Sequence, residues 1–257
     1  MNYGLYQSAG GVLSTMHRYE VLSNNLANVE TTAFKSDMAL SMQRLPERAE
    51  QGLPIDANTL LERLGGGQLS TPTFMAFEQG GLIETGANHD LALQGEGFFV
   101  VGPERPRGEQ DLALTRDGRL TVDADGQIVM ATTGWHLLDD RNKPISVGPG
   151  AFTVDERGVV HQRGQEIAQL GLRQVEHPDR LEKSGEGLLR INAMSGTSTP
   201  ATDTNVVQGA LEESTVNPVI AMKDLLTASR ALEANVRMMQ YQDTILGQAA
   251  GTLGKVT

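Results

Sequence analysis

A chain of 257 residues is long enough for one large domain, or for a medium domain with separate helical segments. Apolar residues make up 39 % of it and aromatic residues only 4 %, which argues against one dense core along the whole length and for apolar surface buried on partners. The 21 basic and 32 acidic side chains leave a formal charge of −11, which repels phosphate backbones and anionic lipid, so no nucleic-acid partner is expected.

The chain has no cysteine, which removes disulfides and thiolate metal sites. No run approaches the length of apolar chain needed to span a bilayer, so no direct membrane insertion is expected. Met1 to Glu30 lacks a basic start, a compact apolar block and a small-residue cleavage site. It does not read as a cleaved signal peptide.

In chain order, residues 1–42 form an N-terminal helical segment. Leu5, Ala9, Val12, Met16, Tyr19 and Leu26, with Ser23 completing the rhythm, recur at alternating intervals of four and three, the spacing of a heptad seam. Residues 43–84 carry Pro46, Pro54, Pro72 and Gly65-Gly66-Gly67 and read as an extended connector, with one short helix-like piece at Asn58–Arg63.

Residues 85–205 change texture to short β-type runs divided by glycine-containing turns. Phe98-Phe99-Val100-Val101, Leu120-Thr121-Val122, Gln127-Ile128-Val129-Met130 and Val159-Val160 read as strands. Asp117-Gly118, Asp125-Gly126 and Arg157-Gly158 read as hairpin turns, where glycine takes positive φ at no steric cost. Thr121 to Gly126 and Thr153 to Gly158 echo each other, as if one hairpin device were used twice. Ser195 to Asp203 form a flexible junction.

Residues 206–257 form a C-terminal helical segment with Pro218 at its first turn. Its heptad line runs through Met222, Leu225, Ser229, Leu232, Val236, Met239, Leu246, Ala250 and Leu253, interrupted by Asp243. The fold class expected is α+β, with the two terminal helices pairing in a coiled-coil-like helical domain and a central, mostly antiparallel β domain between them.

Catalytic chemistry is not written in this sequence. His17, His89, His136, His161 and His177 are scattered without metal-ligand spacing. Gly95-Glu96-Gly97 lacks the third glycine and the helix start of a dinucleotide fingerprint and reads as a β-turn. The Gly254-Lys255 tail lacks the first glycine and the following hydroxyl of a phosphate loop. Asp123 and Asp125 before Gly126 do not make a calcium loop, because Thr121 occupies the first ligand position. No catalytic, cofactor or metal residue is assigned.

Three blocks carry a resemblance. Leu22-Ser23-Asn24-Asn25-Leu26-Ala27-Asn28-Val29-Glu30-Thr31-Thr32-Ala33-Phe34-Lys35 closely resembles the N-terminal signature of the bacterial flagellar rod and hook family. Asp90 to Val101, followed by Leu114-Thr115-Arg116-Asp117-Gly118, is similar to the opening of that family's central β domain. Gly209 to Val219, then Ser229 to Asn235, resembles its C-terminal signature. Ala33, Thr215 and Leu232 depart from the glycine, asparagine and aromatic residue usual at those places.

The resemblance implies a non-enzymatic structural subunit of the basal-body rod. Proximal and distal rod proteins share this length and plan. It would leave the cell through the flagellar type III export apparatus without a cleaved signal peptide, then assemble with copies of itself and neighbouring rod or hook-family subunits. Its subunit interface would draw on Leu5, Val12, Met16, Tyr19, Asn24, Asn25, Leu26, Asn28 and Phe34 at one end. At the other it would draw on Asn217, Met222, Leu225, Leu232, Val236 and Met239. A hook-family subunit, or a discrete binding module such as an adhesin or assembly chaperone, is the alternative.

Overall fold

The computed structural model describes residues 3–45 and 67–253. The helix-like piece at Asn58–Arg63 and the side chains of Leu5 and Leu253 lie outside what is described. The chain is α+β and divides into two compact units. One takes Met1–Ala27, Asp37–Phe74 and Pro218–Thr257; the other takes Asn28–Ser36 and Met75–Asn217.

The first unit holds an N-terminal helix, Tyr3–Ala27, and a C-terminal helix, Pro218–Leu253. Pro218 stands at the first helical position, where its fixed φ suits the helix and its missing N–H has no intrahelical partner to lose. Ser8 Oγ donates to Gln242 Oε1 at 3.2 Å, and Asn235 Nδ2 donates to Thr15 Oγ1 at 2.9 Å. One helix is read upward and the other downward between these pairs, so the two helices run antiparallel. Ser41–Gln43 pairs antiparallel with Gln68–Ser70 in the same unit. The pair lies against the N-terminal helix at Gly10, where an added Cβ would stand 3.5 Å from the Gln68 carbonyl oxygen.

On the C-terminal helix the line buried or half-buried throughout is Ala221, Leu225, Ala228, Leu232, Asn235, Met239, Gln242 and Leu246. It keeps the four-and-three rhythm of the sequence but differs at alternate positions. Ala221, Ala228, Asn235 and Gln242 take the places that apolar periodicity gives to Met222, Ser229, Val236 and Asp243. Met222, Val236 and Asp243 are exposed. The cause is local chemistry: alanine permits close approach, and Asn235 and Gln242 find hydrogen-bond partners across the pair. Asp243 therefore interrupts nothing.

The second unit is antiparallel β. Its largest sheet runs Glu182–Gly185, Leu188–Arg190, Ala113–Thr115, Phe98–Gly102, His136–Leu137, Ile128–Met130 and Leu120–Val122, and Leu172–Val175 pairs with both Phe98–Gly102 and Ser198–Pro200. Phe98–Gly102 is central and buried on both faces. Its pleat sends Phe99 and Val101 into a cluster with Leu91, Ile128, Leu137 and Phe152, and Phe98 and Val100 into a second with Met75, Leu114, Leu138 and Leu189. Thr153–Val154, Val159–Gln162 and Gln165–Gln169 make a separate three-stranded sheet.

The β region extends past the range 85–205. Leu82–Glu84 pairs with Ala210–Glu212, and Leu91–Gln94 pairs with Asn205–Gln208. The chain thus returns a strand to the β unit immediately before the C-terminal helix begins. Asp125-Gly126 and Arg157-Gly158 are the hairpin turns expected, with φ of +78° and +80° at their glycines. Asp117-Gly118 is not a hairpin turn: Ala113–Thr115 pairs with Phe98–Gly102 and Leu188–Arg190 instead of with Leu120–Val122. Gly118 is needed for a different reason, since any Cβ there would collide with the Leu91 carbonyl.

Candidate functional site

The three sequence blocks meet at one buried cluster in the β unit. Glu212, from the strand Ala210–Glu212, places Oε1 2.6 Å from Lys35 Nζ and Oε2 3.2 Å from Arg116 Nη1. Lys35 closes the N-terminal block, Arg116 lies in the second and Glu212 in the third. All three are buried. Lys35 Nζ also donates to the Glu78 carbonyl, Arg116 Nη2 to the Gly95 carbonyl, and the Gly80 N–H to Glu212 Oε1 at 2.9 Å. The Arg116 guanidinium lies 5.0 Å and 5.3 Å from the ring centroids of Phe77 and Phe98, and Lys35 Nζ lies 5.2 Å from Phe77.

Two cations and one carboxylate leave this cluster with one excess positive charge. Burial holds the Lys35 ammonium below the usual lysine range, opposed by Glu212. Burial lowers Arg116 likewise. The arrangement offers no group to a solvent-borne substrate; what it does is fix three distant stretches of chain to one point.

Around it the N-terminal block is tied down by its own backbone. Ala33 adopts φ +57° and donates its N–H to the Glu212 carbonyl at 2.8 Å, so the departure from glycine falls on a left-handed residue. Thr215, the second departure, uses its hydroxyl oxygen to accept the Ser36 N–H at 3.0 Å, while its own N–H donates to the Phe34 carbonyl at 3.0 Å. The Phe34 ring lies 4.2 Å from Lys183 Nζ, and that ammonium donates to the Lys35 carbonyl at 2.6 Å. Thr32 Oγ1 donates to Asp117 Oδ1 at 2.9 Å, and Asp117 also receives Arg119 at 3.1 Å and 2.9 Å.

The residues expected at the subunit interface fall in several settings. Met16, Asn24, Asn217, Met222 and Val236 are exposed on the single chain. Val12, Tyr19, Leu26, Asn28, Phe34, Leu225, Leu232 and Met239 are half-buried. Asn25 is buried, and its amide exchanges two hydrogen bonds with the Asp37 backbone at 2.8 Å and 2.9 Å. Outside that set, the C-terminal helix exposes further large apolar side chains away from its contact line: Leu226, with Met222 beside it, and Met238, Tyr241 and Ile245 further along are each more than half exposed.

Lys35, Arg116 and Glu212 lie within the three blocks, but each block carries other charged side chains, Glu30, Asp90, Glu96 and Glu213 among them, so nothing in the sequence singles these three out before the strands are paired. Among the described residues no group of three or more histidines and carboxylates is placed to hold a metal, and no helix is long and apolar enough to cross a membrane.

Comparison with known proteins agrees with the second and third blocks. Residues 92–162 match the flagellar hook protein FlgE/F/G D1 domain, and residues 207–252 match the C-terminal domain of flagellar basal body rod FlgEFG proteins. The flagellar basal-body rod protein FlgG of Borreliella burgdorferi is 28 % identical over 264 residues, covering 97 % of this chain and 98 % of its own. The flagellar hook-basal body complex protein FlhO of Bacillus subtilis is 27 % identical over 270 residues, with 98 % and 99 % covered. The flagellar basal-body rod protein FlgF of Caulobacter vibrioides is 31 % identical over 261 residues, and the alignment spans all of both chains. With identity of that level along its full length, and with its three signature blocks joined at one buried cluster, the chain belongs to the flagellar rod and hook protein family.

Proposed function

We propose that this protein is a structural subunit of the bacterial flagellar basal-body rod, a torque-bearing part with no catalytic role. It pairs its terminal helices in a coiled-coil-like domain and uses their outer faces to join copies of itself and neighbouring rod or hook-family subunits. Full-length similarity to basal-body rod proteins supports the class. The observation that carries the mechanism is that Leu226, Met238, Tyr241 and Ile245 of the C-terminal helix are exposed while its contact line is occupied within the chain.

A helix with one line filled and further apolar side chains free is suited to cover by another subunit, and burying such side chains contributes about 1.5–3 kcal/mol each. In this reading they meet a different patch on the next subunit, so that the contacts are heterologous and propagate as an open helical tube. Export through the flagellar type III apparatus, without a cleaved signal, completes the reading. Its test is direct: purified hook-basal bodies from the native organism should contain this chain, and deleting its gene should leave basal bodies without a complete rod. Intact, motile flagella in the deletion strain would refute it.

A further inference from the structure

Packing alone does not fix how the two terminal helices align. The Thr15–Asn235 layer sits beside an open depression of about 400 Å³, lined by Gly11, Thr15, Arg18, Ala228, Ala231 and Asn235. Gly11, Ala228 and Ala231 offer little apolar area there, so several registers would bury similar surface. The hydrogen bonds are more discriminating. Thr15 commits its hydroxyl proton to the Gly11 carbonyl at 2.7 Å, which leaves its oxygen as an acceptor for Asn235 Nδ2 at 2.9 Å. Ser8 donates to Gln242 at 3.2 Å one heptad away on both helices.

We propose that the two polar layers, Ser8–Gln242 and Thr15–Asn235, are the residues that specify the antiparallel register of the terminal helices. A slip of one heptad in one direction sets Asn235 opposite Leu22; a slip in the other leaves Gln242 beyond the first helical residue, Tyr3. Either slip deprives one amide of its partner, the means by which a polar residue in a helix seam selects one alignment at a cost in stability. A whole-heptad slip keeps the same helix face inward, so what register decides is the axial position at which the outer residues Met238, Tyr241 and Ile245 are presented. The inference concerns packing inside one chain and does not depend on what these outer residues meet.

The natural absence of cysteine allows a clean test on the full-length protein. Gly11→Cys with Met239→Cys reports the register set by the two bonds. Gly11→Cys with Leu246→Cys, and Gly11→Cys with Leu232→Cys, report the two slips. In the otherwise unaltered dilute protein, oxidation should close the first pair within one chain and leave the other two largely open. Adding Asn235→Leu and Gln242→Leu, which raise helix propensity and so preserve the helix, should increase the slipped cross-links by about tenfold or more; Thr15→Ser, which keeps the hydroxyl, should not. Slipped cross-links that stay rare in the leucine variant would show that the chain connections set the register. Failure of the first pair to close in the unaltered protein would also overturn the proposal.

Discussion

Ala33 bears a backbone conformation, φ +57°, that an alanine adopts only at a cost because its Cβ crowds the following carbonyl. Its N–H is committed to the Glu212 carbonyl, so the chain cannot relax without giving up that bond. Ala33→Gly should therefore stabilise the β unit by about 0.5–1 kcal/mol, read as a higher urea midpoint, since relief of the strain exceeds the added freedom of the unfolded chain. Glu212 is more consequential. Glu212→Gln leaves two buried cations facing each other and should cost about 3–5 kcal/mol, whereas Lys35→Met leaves the neutral Arg116–Glu212 pair and should cost less.

The lowered affinity of Lys35 for its proton also gives the cluster a pH signature. The folded state holds that proton less tightly than the unfolded state, whose lysine has the ordinary value of 10.5. In the window between the lowered value and 10.5 the unfolded chain binds more protons, so stability rises with pH there. The contribution is complete above 10.5 and lost as pH falls through the folded value. Wild type should thus gain on Lys35→Met as pH rises towards 10.5 in matched urea titrations. None of this could be read along the sequence, because Glu212 meets partners 177 and 96 residues away.

Some short elements were legible in the sequence. The paired Thr-Val-Asp segments do form one device: Asp123 Oδ1 accepts the N–H of Asp125 and Gln127, and Asp155 Oδ1 accepts those of Arg157 and Val159. A third copy escaped the motif because asparagine replaces glycine. Asp139 Oδ1 accepts from Arg141 and Lys143, and Asn142 takes φ +59°. The Val159 N–H, with that of Arg157, holds the Asp155 carboxyl below its ordinary 3.8. The unfolded carboxyl takes its proton first as pH falls, so the stabilisation is whole above pH 3.8 and lost as pH drops through the folded value. Asp155→Ala should lower the melting temperature at neutral pH and lose that difference in acid.

Two other element-level features were hidden for physical reasons. An Asp-Gly pair signals a turn, but Gly118 is glycine because Leu91 passes against it, and only the tertiary crossing reveals that. The strands Leu82–Glu84 and Ala210–Glu212 lie outside the β-rich stretch and pair with each other across it, which no local signal reveals. The helices were legible as helices, with Pro218 marking the start of the second. Which line faced in was not legible, because apolar periodicity favours Met222 and Val236 while close approach and hydrogen bonding favour Ala221, Ala228 and Asn235.

At the scale of the whole molecule, the proposed function separates the residues of the C-terminal helix that serve folding from those that serve assembly. Leu232 lies on the line occupied within the chain, so Leu232→Asp should damage both the helix pair and the rod. Leu226 and Tyr241 lie outside that line, 61 % and 70 % exposed, so aspartate at either is hydrated in the single chain and becomes costly only when another subunit covers it. The most direct measurement is to complement a strain lacking this gene with Leu226→Asp/Tyr241→Asp and to image its purified hook-basal bodies. The expected result is an exported subunit with wild-type melting behaviour, basal bodies without a complete rod, and non-motile cells. Complete rods and normal swimming would contradict assembly through the outer helix face.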